Sequence, residues 1–459
     1  MSPQIERCKD PLISATGSIE ERAKWRLDEL APEILVEIFS HCPIAFPRID
    51  LLAPPLTLAV VCKTWYHLVM NTPSLWSSFE IVLEGTSSSP SEQDEIQRKL
   101  SLWLRRSRQK PLSIRIIQET VSQDSLDMRA MELIEILLPH ASRWQYFDFR
   151  GPTGGLAPFQ EDINKPHLRS LKSISLQVHE RSRNQHFDLS RFNIPWSQLS
   201  ILDLRFSHQN VNSLDKCYEI LSETKNLESC ILNAECIFTP SLHTGELKLP
   251  SINSLKLIIQ GNDPVEDATS KFLEFLHRLC LPRLRAFTLE WLVNTTKDGN
   301  ESQWRTSHTQ LVNFLHSSGN SLQHLELAYL PLLDHEIIRC LDGLSGLKSF
   351  GLKFALADQL SDPITDTLLQ HLSLNPSTRG FWRGQRKLCC PGLKSLKLQC
   401  SGDSLSQTEL LHLLGTRVDR GLKEFELFTL KSMSRGFRDR IAIWKGEGLD
   451  FKASELTIR

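Results

Sequence analysis

The chain has 459 residues, of which 40% are hydrophobic and 23% are charged, a composition typical of globular proteins rather than disordered ones. Its 53 basic and 54 acidic residues give a net charge of -1, so we expect no general attraction to nucleic acid or to anionic membranes. A chain of this length forms one large domain or several smaller ones.

Cysteine usage and hydropathy indicate the cellular compartment. The eleven cysteines include no Cys-x-x-Cys pair, and the close spacings Cys389–Cys390 and Cys230–Cys236 lack the paired partners of a zinc site. Buried free thiols in a reducing compartment are therefore expected. Neither a secretory signal nor an apolar run of about 18 residues is evident. We predict a cytoplasmic or nuclear protein with no metal, cofactor or membrane partner.

The first predicted element is an amphipathic helix that follows a flexible tail of residues 1–24. Pro32 suits the first turn of a helix, where its missing N–H is tolerated, and Glu33 adds a favourable charge there. Pro43 and Pro47 end the helix. Its apolar positions share one face: Leu30, Ile34, Leu35, Ile38 and Phe39.

A proline-rich loop separates this helix from a second one, predicted from about Leu56 to Met70 and stopped at Asn71. Two short helices cannot bury two broad apolar faces between them, so a face that stays uncovered should bind a partner. The apolar positions of the second helix are Val61, Trp65, Leu68 and Val69.

These helices carry Leu-x-Pro-Glu-Ile-Leu-x-Glu-Ile-Phe at residues 30–39, Val-Val-Cys-Lys-Thr-Trp at 60–65 and Thr-Pro-Ser-Leu-Trp at 72–76. In this order the strings resemble the F-box, especially its fungal F-box-like variety. The resemblance defines a domain at residues 25–76 and implies binding to the Skp-type adaptor of a cullin–RING ubiquitin ligase. The implied adaptor-binding residues are Leu30, Pro32, Ile34, Leu35, Ile38, Phe39, Val61 and Trp65. The alternative is that the two helices only cap the rest of the fold.

Residues 77–430 repeat the pattern Leu-x-x-Leu-x-Leu, with other apolar residues at some positions. From Trp144 the copies follow at steps of 27, 28, 28 and 25 residues, the range of leucine-rich repeats. Later steps of up to 46 residues indicate insertions. The clearest copies begin at Leu171, Leu199, Ile252, Leu284, Leu322, Leu347, Leu393 and Leu422.

Helical patterns lie between the copies, at about 125–138, 214–224, 268–279, 303–316 and 405–414. The last two apolar positions of each copy alternate inward on a short strand, and neighbouring strands pair in a parallel sheet. The predicted fold is α/β: the helical module, a curved leucine-rich-repeat-like solenoid and a C-terminal tail or cap at residues 431–459. The repeats resemble the cysteine-containing type often joined to F-boxes. A doubly wound α/β domain is the alternative.

In a solenoid, the side chains between the inward positions define the partner. Aromatic residues and arginines at insertions are stronger candidates for a target site, because tryptophan and arginine carry a disproportionate share of binding energy. The predicted target-protein contacts are Trp291, Trp304, Trp382 and Arg383. Core packing is the alternative for each tryptophan.

Catalytic motifs are missing from the sequence: it has no Gly-rich phosphate loop, nucleophile elbow or zinc-protease helix. We therefore predict that the chain is not an enzyme. The predicted function is substrate recognition in an SCF-type E3 ubiquitin ligase, with the Skp-type adaptor and an unknown protein substrate as partners. An adaptor-independent repeat scaffold and an enzyme with a site in the long insertions remain as alternatives.

Overall fold

The structure, a computed structural model, is of the mixed α/β class and is described from Leu30 onward. The described residues are 30–42, 45–49, 54–84, 90–118, 125–159, 167–179, 189–207, 211–243, 245–261, 267–293, 300–318, 321–354, 362–373 and 388–455. The predicted tail at residues 1–24 lies outside these ranges, as do Trp382 and Arg383. Within them, no helix has the length and apolar composition that a membrane span needs.

A module of short helices at residues 32–76, called the helical module below, comes first. Its first helix, α1 (Pro32–His41), begins with a proline in the first turn and carries Glu33 beside it, as the sequence predicts. The predicted second helix is divided into α2 (Leu56–Ala59) and α3 (Lys63–Met70). A 3-10 turn at Pro73–Trp76 follows and leads into the first strand.

The division between α2 and α3 comes from a helix cap at Cys62. The Cys62 backbone is extended, and its Sγ accepts a hydrogen bond from the backbone N–H of Trp65 at 3.5 Å. A side chain that accepts a hydrogen bond from the backbone N–H three residues later caps the start of a helix. Helix α3 therefore begins at Lys63 and is separate from α2. The helix ends at Asn71, where the sequence predicts its stop.

Fourteen strands of the described chain form one parallel sheet. Its order is β1-β2-β3-β4-β5-β7-β9, then β11 through β16, and β6 pairs with β7 beside this path, while β8 and β10 form a separate pair. The strands are β1 (Ser78–Leu83), β2 (Leu112–Gln118), β3 (Trp144–Pro152), β4 (Ser173–His179), β5 (Ile201–Phe206), β6 (Asn212–Ser213), β7 (Ser229–Glu235), β8 (Leu247–Lys248), β9 (Ser254–Gly261), β10 (Leu279–Cys280), β11 (Ala286–Val293), β12 (His324–Ala328), β13 (Ser349–Lys353), β14 (Ser395–Cys400), β15 (Glu424–Thr429) and β16 (Asp450–Glu455).

The strand register aligns the same two inward positions across the sheet. Successive side chains of a strand point to opposite faces, so two positions that are two residues apart share one face. These are the last two positions of the repeat pattern, and all of them are buried. The aligned pairs are Phe79/Ile81, Ile114/Ile116, Phe147/Phe149, Ile174/Leu176, Leu202/Leu204, Cys230/Leu232, Leu255/Leu257, Phe287/Leu289, Leu325/Leu327, Phe350/Leu352, Leu396/Leu398 and Phe425/Leu427.

Helices connect the strands and share their core. Successive helices from α6 to α12 contact one another, and their apolar residues join the inward strand residues in one buried cluster. The other face of the sheet carries mainly polar side chains and is called the polar face below. The helices are α4 (Pro90–Arg106), α5 (Ser125–Leu137), α6 (Leu214–Glu223), α7 (Ala268–His277), α8 (Asn300–Ser317), α9 (Asp334–Leu341), α10 (Asp366–Leu372), α11 (Gln407–Val418) and α12 (Arg435–Gly446).

The strand order distinguishes this fold from a doubly wound domain. That architecture reverses its strand order at a switch point, whereas this sheet runs from β1 to β16 without a reversal. The C-terminal segment predicted as a tail or cap extends the same sheet. Helix α12 contacts α11, and β16 pairs in parallel with β15, so residues 435–455 add one more helix and strand.

The outer edge of β1 is covered by the loop between α1 and α2. Arg48 forms a parallel bridge with Glu80. The N–H of Ile49 donates to the Glu80 carbonyl at 3.2 Å, and the N–H of Glu80 donates to the Pro47 carbonyl at 2.9 Å. These bonds satisfy backbone groups that an open sheet edge would leave unpaired. The loop therefore attaches the helical module to the sheet.

The assignment of the two sheet faces can be tested with adjacent residues of β11. Leu289→Ala empties a buried position and is expected to lower the free energy of unfolding by about 2–5 kcal/mol. Thr288→Ala, on the polar face, is expected to cost about 1 kcal/mol or less. Urea denaturation of the full chain, followed by circular dichroism, measures both. Equal losses would contradict the face assignment.

Candidate docking surfaces

The inner side of α1 forms the core of the helical module. Leu35 and Phe39 are buried, and the Phe39 ring packs edge-on against Trp65 with a centroid distance of 4.6 Å. The buried Trp76 donates its indole N–H to the Val69 carbonyl at 2.9 Å. These contacts join α1, α3 and the 3-10 turn, so the module has a core of its own that merges with the sheet.

The outer side of the helical module exposes large apolar side chains. Ile34 and Ile38, neighbours at i and i+4 on α1, are 51% and 40% exposed. Val60 and Val61 at the break between α2 and α3 are exposed, as is Tyr66 on α3. We call these five residues the exposed apolar set. They are half of the ten large hydrophobic side chains exposed in the described chain, which makes the helical module a candidate for partner binding.

The structure divides the predicted adaptor-binding residues between the two sides of the module. The exposed ones are Pro32, Ile34, Ile38 and Val61. Leu30 and Trp65 are half-buried. Leu35 and Phe39 are core residues, so their side chains support the surface from beneath instead of reaching a partner directly.

Two members of the exposed apolar set, Val60 and Tyr66, were missed by the sequence analysis. A continuous helix from Leu56 to Met70 places its apolar face through Val61, Trp65 and Leu68, and leaves both residues off that face. The cap at Cys62 breaks the helix and turns Val60 and Val61 outward together. The Cys-x-x-Trp spacing after them was the available signal, but thiol caps are weak acceptors and are seldom considered.

The loop that covers β1 also reaches the polar face of the sheet. The Arg115 guanidinium on β2 lies over the ring of Phe46, 4.0 Å from its centroid. The same ring lies 4.9 Å from that of Tyr146 on β3. A guanidinium is attracted to the face of an aromatic ring, so this stack fixes the loop against the first three strands.

Opposite charges are paired along the polar face near this stack. Arg115 lies 3.4 Å from Glu80 on β1 and 2.8 Å from Asp148 on β3. Asp148 is 1% exposed and has a second guanidinium, that of Arg150, at 3.4 Å. A buried carboxylate needs such partners because desolvation is otherwise too costly. Later strands carry the pairs Lys256–Glu290, Lys353–Glu326, Lys397–Glu426 and Lys452–Glu426.

A cavity of about 220 Å³ opens on the polar face across β3, β4, β5 and β7. Its charged walls are Asp148 with Arg150, and Asp203 with Arg205, which donates two hydrogen bonds of 2.8 Å. Burial raises the pKa of Asp203, against the opposing effect of Arg205. Both arginine side chains are more than a third exposed while the aspartates lie beneath them, so an incoming group meets guanidinium first.

The cavity wall also holds a buried hydroxyl that makes no hydrogen bond to the described residues. The Ser173 hydroxyl is buried, lines the cavity and has no hydrogen-bond partner among the described residues. An unsatisfied buried hydroxyl costs free energy that a bound partner would recover. The cavity therefore combines an exposed guanidinium pair with an available hydroxyl, a combination suited to a polar or acidic side chain of another protein.

The tryptophans predicted to contact a target lie in the core instead. Trp291 and Trp304 are buried, and their rings meet edge-on with centroids 5.1 Å apart. Trp291 follows Phe287 and Leu289 at the same inward alternation on β11, so its side chain points away from the polar face. Trp304 on α8 packs against it from the helix side. Neither ring is available to a partner at the surface.

Most cysteines of the described chain serve as packing residues. Burial raises the pKa of the Cys217 and Cys340 thiols to about 12, which keeps them protonated and unreactive. One group among the described residues has metal-ligand types in proximity: Asp342, His371 and Cys389, whose ligand atoms lie within 4.8 Å of one another.

Comparisons with known proteins identify no family for this chain. A scan against protein-family models and a search of curated proteins gave no match to this chain.

The two sides of α1 should respond differently when an aspartate is introduced. Leu35→Asp places a carboxylate in the module's core and is expected to cost about 3 kcal/mol or more, unfolding the module. Ile38→Asp places it in solvent and should change stability by about 0.5 kcal/mol or less. Limited proteolysis and thermal melts of the full chain measure both. A stable Leu35→Asp protein would contradict the proposed core.

The ion pairs of the polar face make a second prediction. Arg115→Met leaves Asp148 buried with only its longer contacts to Arg150 and to the Tyr146 hydroxyl, so unfolding should become easier by about 2–4 kcal/mol. The double variant Arg115→Met/Asp148→Leu removes the uncompensated charge and should recover most of that loss. Chemical denaturation measures the cycle, and purely additive losses would show that the two residues are not coupled.

Proposed function

We propose that this chain is the substrate-recognition subunit of an SCF-type E3 ubiquitin ligase. In this proposal the helical module is an F-box-like domain that binds the Skp-type adaptor, and the strand–helix repeats are a leucine-rich-repeat solenoid that holds a target protein. The observation that carries the proposal is the exposed apolar set on a module whose own core is already complete. The F-box-like strings at residues 30–39, 60–65 and 72–76 support the choice of adaptor.

The exposed apolar set can contribute a substantial part of the free energy of a stable complex. Full burial of one isoleucine or valine side chain contributes about 1.5–3 kcal/mol. A micromolar complex needs about 8 kcal/mol of net binding free energy after the costs of association are met. Ile34, Ile38, Val60, Val61 and Tyr66 are between 40% and 83% exposed, so covering them contributes part of this free energy and further contacts must supply the rest.

The polar face is the proposed target surface. Its cavity presents the guanidinium groups of Arg150 and Arg205 above buried carboxylates, with the free hydroxyl of Ser173 in its wall. Arginine and tyrosine are frequent among residues that dominate binding energy, and Tyr146 lines the same cavity. An acidic side chain of a target protein fits this chemistry.

The proposed role requires no catalytic residue in the chain. A receptor raises the rate of ubiquitin transfer by holding the target near a charged conjugating enzyme, which turns an encounter in solution into a local one. A cytoplasmic or nuclear location is part of the proposal, and free thiols at the described cysteines fit a reducing compartment.

Co-purification with a Skp-type adaptor tests the proposal. The wild-type chain is expected to bind, and the double change Ile34→Asp/Ile38→Asp should weaken binding by about 100-fold or more, because two carboxylates would be buried in an apolar interface. Ile443→Asp on α12 is the matched control: Ile443 is as exposed as Ile34, lies outside the helical module and should leave adaptor binding unchanged.

The same experiment separates the proposal from its alternative. Absence of binding by the wild-type chain at micromolar concentrations favours an adaptor-independent repeat scaffold. Equal binding by wild type and the double variant places the adaptor contact elsewhere and removes the exposed apolar set as its site. Circular dichroism of each variant shows that a loss of binding does not come from unfolding.

A further inference from the structure

Two successive helices and the turn before β14 bring together side chains that are far apart in the sequence. Asp342 caps the C-terminus of α9, His371 lies in the last turn of α10, and Cys389 comes shortly before β14. The ligand atoms of these three residues lie within 4.8 Å of one another. Cys390 adds a fourth potential donor beside Cys389.

The separations in this group resemble those between the ligands of a tetrahedral zinc ion. Zinc–ligand bonds of about 2.0–2.3 Å place neighbouring ligand atoms about 3.3–3.8 Å apart. His371 Nε2 lies 3.0 Å from Asp342 Oδ1, and the Sγ atoms of Cys389 and Cys390 are 3.6 Å apart. No two of the three ligand atoms are more than 4.8 Å apart, so no separation has to shrink by more than about 1.5 Å, which side-chain rotation can provide.

The surroundings of the group indicate that negative ligands are favoured there. Arg417 is 1% exposed, and its guanidinium donates to the carbonyls of Leu372, Cys390 and Cys389 at 2.6–2.8 Å. No carboxylate pairs with it among the described residues. A buried guanidinium without a counter-charge is costly, and a thiolate at Cys389 or Cys390 would supply one.

The charges balance when a divalent cation is added. Two thiolates and the Asp342 carboxylate carry three negative charges, and a divalent ion with Arg417 carries three positive ones. The C-terminal ends of α9 and α10, where the helix dipole is negative, lie at the same place and favour a cation. The set of one histidine, two cysteines and one carboxylate is characteristic of zinc rather than of magnesium or calcium.

We propose that Asp342, His371 and Cys389 bind a zinc ion, and that Cys390, which lies outside this group with its Sγ 3.6 Å from that of Cys389, rotates in as the fourth ligand. The ion would join two consecutive repeats, through α9 in the first and through α10 and the turn before β14 in the second. Because the unfolded chain does not hold these ligands together, the free energy of zinc binding would stabilise the folded state of this part of the chain. The proposal does not depend on the adaptor-binding function.

Zinc titration of the full-length chain tests this site. The protein is stripped with a chelator, kept reduced with a phosphine so that no disulfide forms, and titrated with Zn²⁺ against a chromophoric chelator. One ion per chain is expected, and Zn²⁺ should raise the melting temperature. Co²⁺ in its place should give the intense visible bands of a tetrahedral site and a thiolate-to-cobalt charge-transfer band.

Cys389→Ser and His371→Gln should each weaken Zn²⁺ binding by about 100-fold or more and abolish the rise in melting temperature. Matched controls are Cys42→Ser and His335→Gln, which change an exposed cysteine and an exposed histidine and should bind as wild type does. Retained binding by the Cys389→Ser and His371→Gln proteins, or no binding by the wild-type chain, overturns the proposal. In either case the group is a hydrogen-bonded cluster only.

Discussion

A single strand register is the constraint on which the rest of this structure depends. Along the main path of the sheet from β1 to β15, neighbouring strands align the same two inward positions, and a slip of one residue in any strand would turn its apolar side chains toward the polar face. The same alignment also brings Glu80, Arg115 and Asp148 side by side on the opposite face. The charge pairing and the cavity therefore follow from the rule that buries the core.

The repeats were readable from the sequence because one short pattern specifies both a strand and its inward face. The alternation of that pattern also accounts for the burial of Trp291, whose side chain points to the same face of β11 as those of Phe287 and Leu289. Its burial could have been predicted from β11 alone. The break between α2 and α3 could not, because it depends on one thiol cap at Cys62, and apolar spacing is compatible with an unbroken helix.

The candidate sites show a sharper limit of sequence reasoning. Apolar periodicity on α1 indicates a stripe broader than a small module can cover, but Leu35 with Phe39 and Ile34 with Ile38 are neighbouring rows within it. Which row is buried depends on how α3 packs, a tertiary contact that no local pattern encodes. Asp342 likewise lies before β13, whereas His371 and Cys389 lie after it, and only the stacking of α9 on α10 brings the three together.

The loop at residues 45–49 has a geometric consequence for a receptor. The loop is hydrogen-bonded to the edge of β1, and its Phe46 ring stacks on Arg115. These contacts hold the helical module against the first strands of the sheet. Under the proposed function, a target protein bound at the cavity beside this stack would lie at a fixed distance from the adaptor bound to the helical module. The shape of the bound protein, rather than the diffusion of a linker, would then determine which of its lysines can reach the site of ubiquitin transfer.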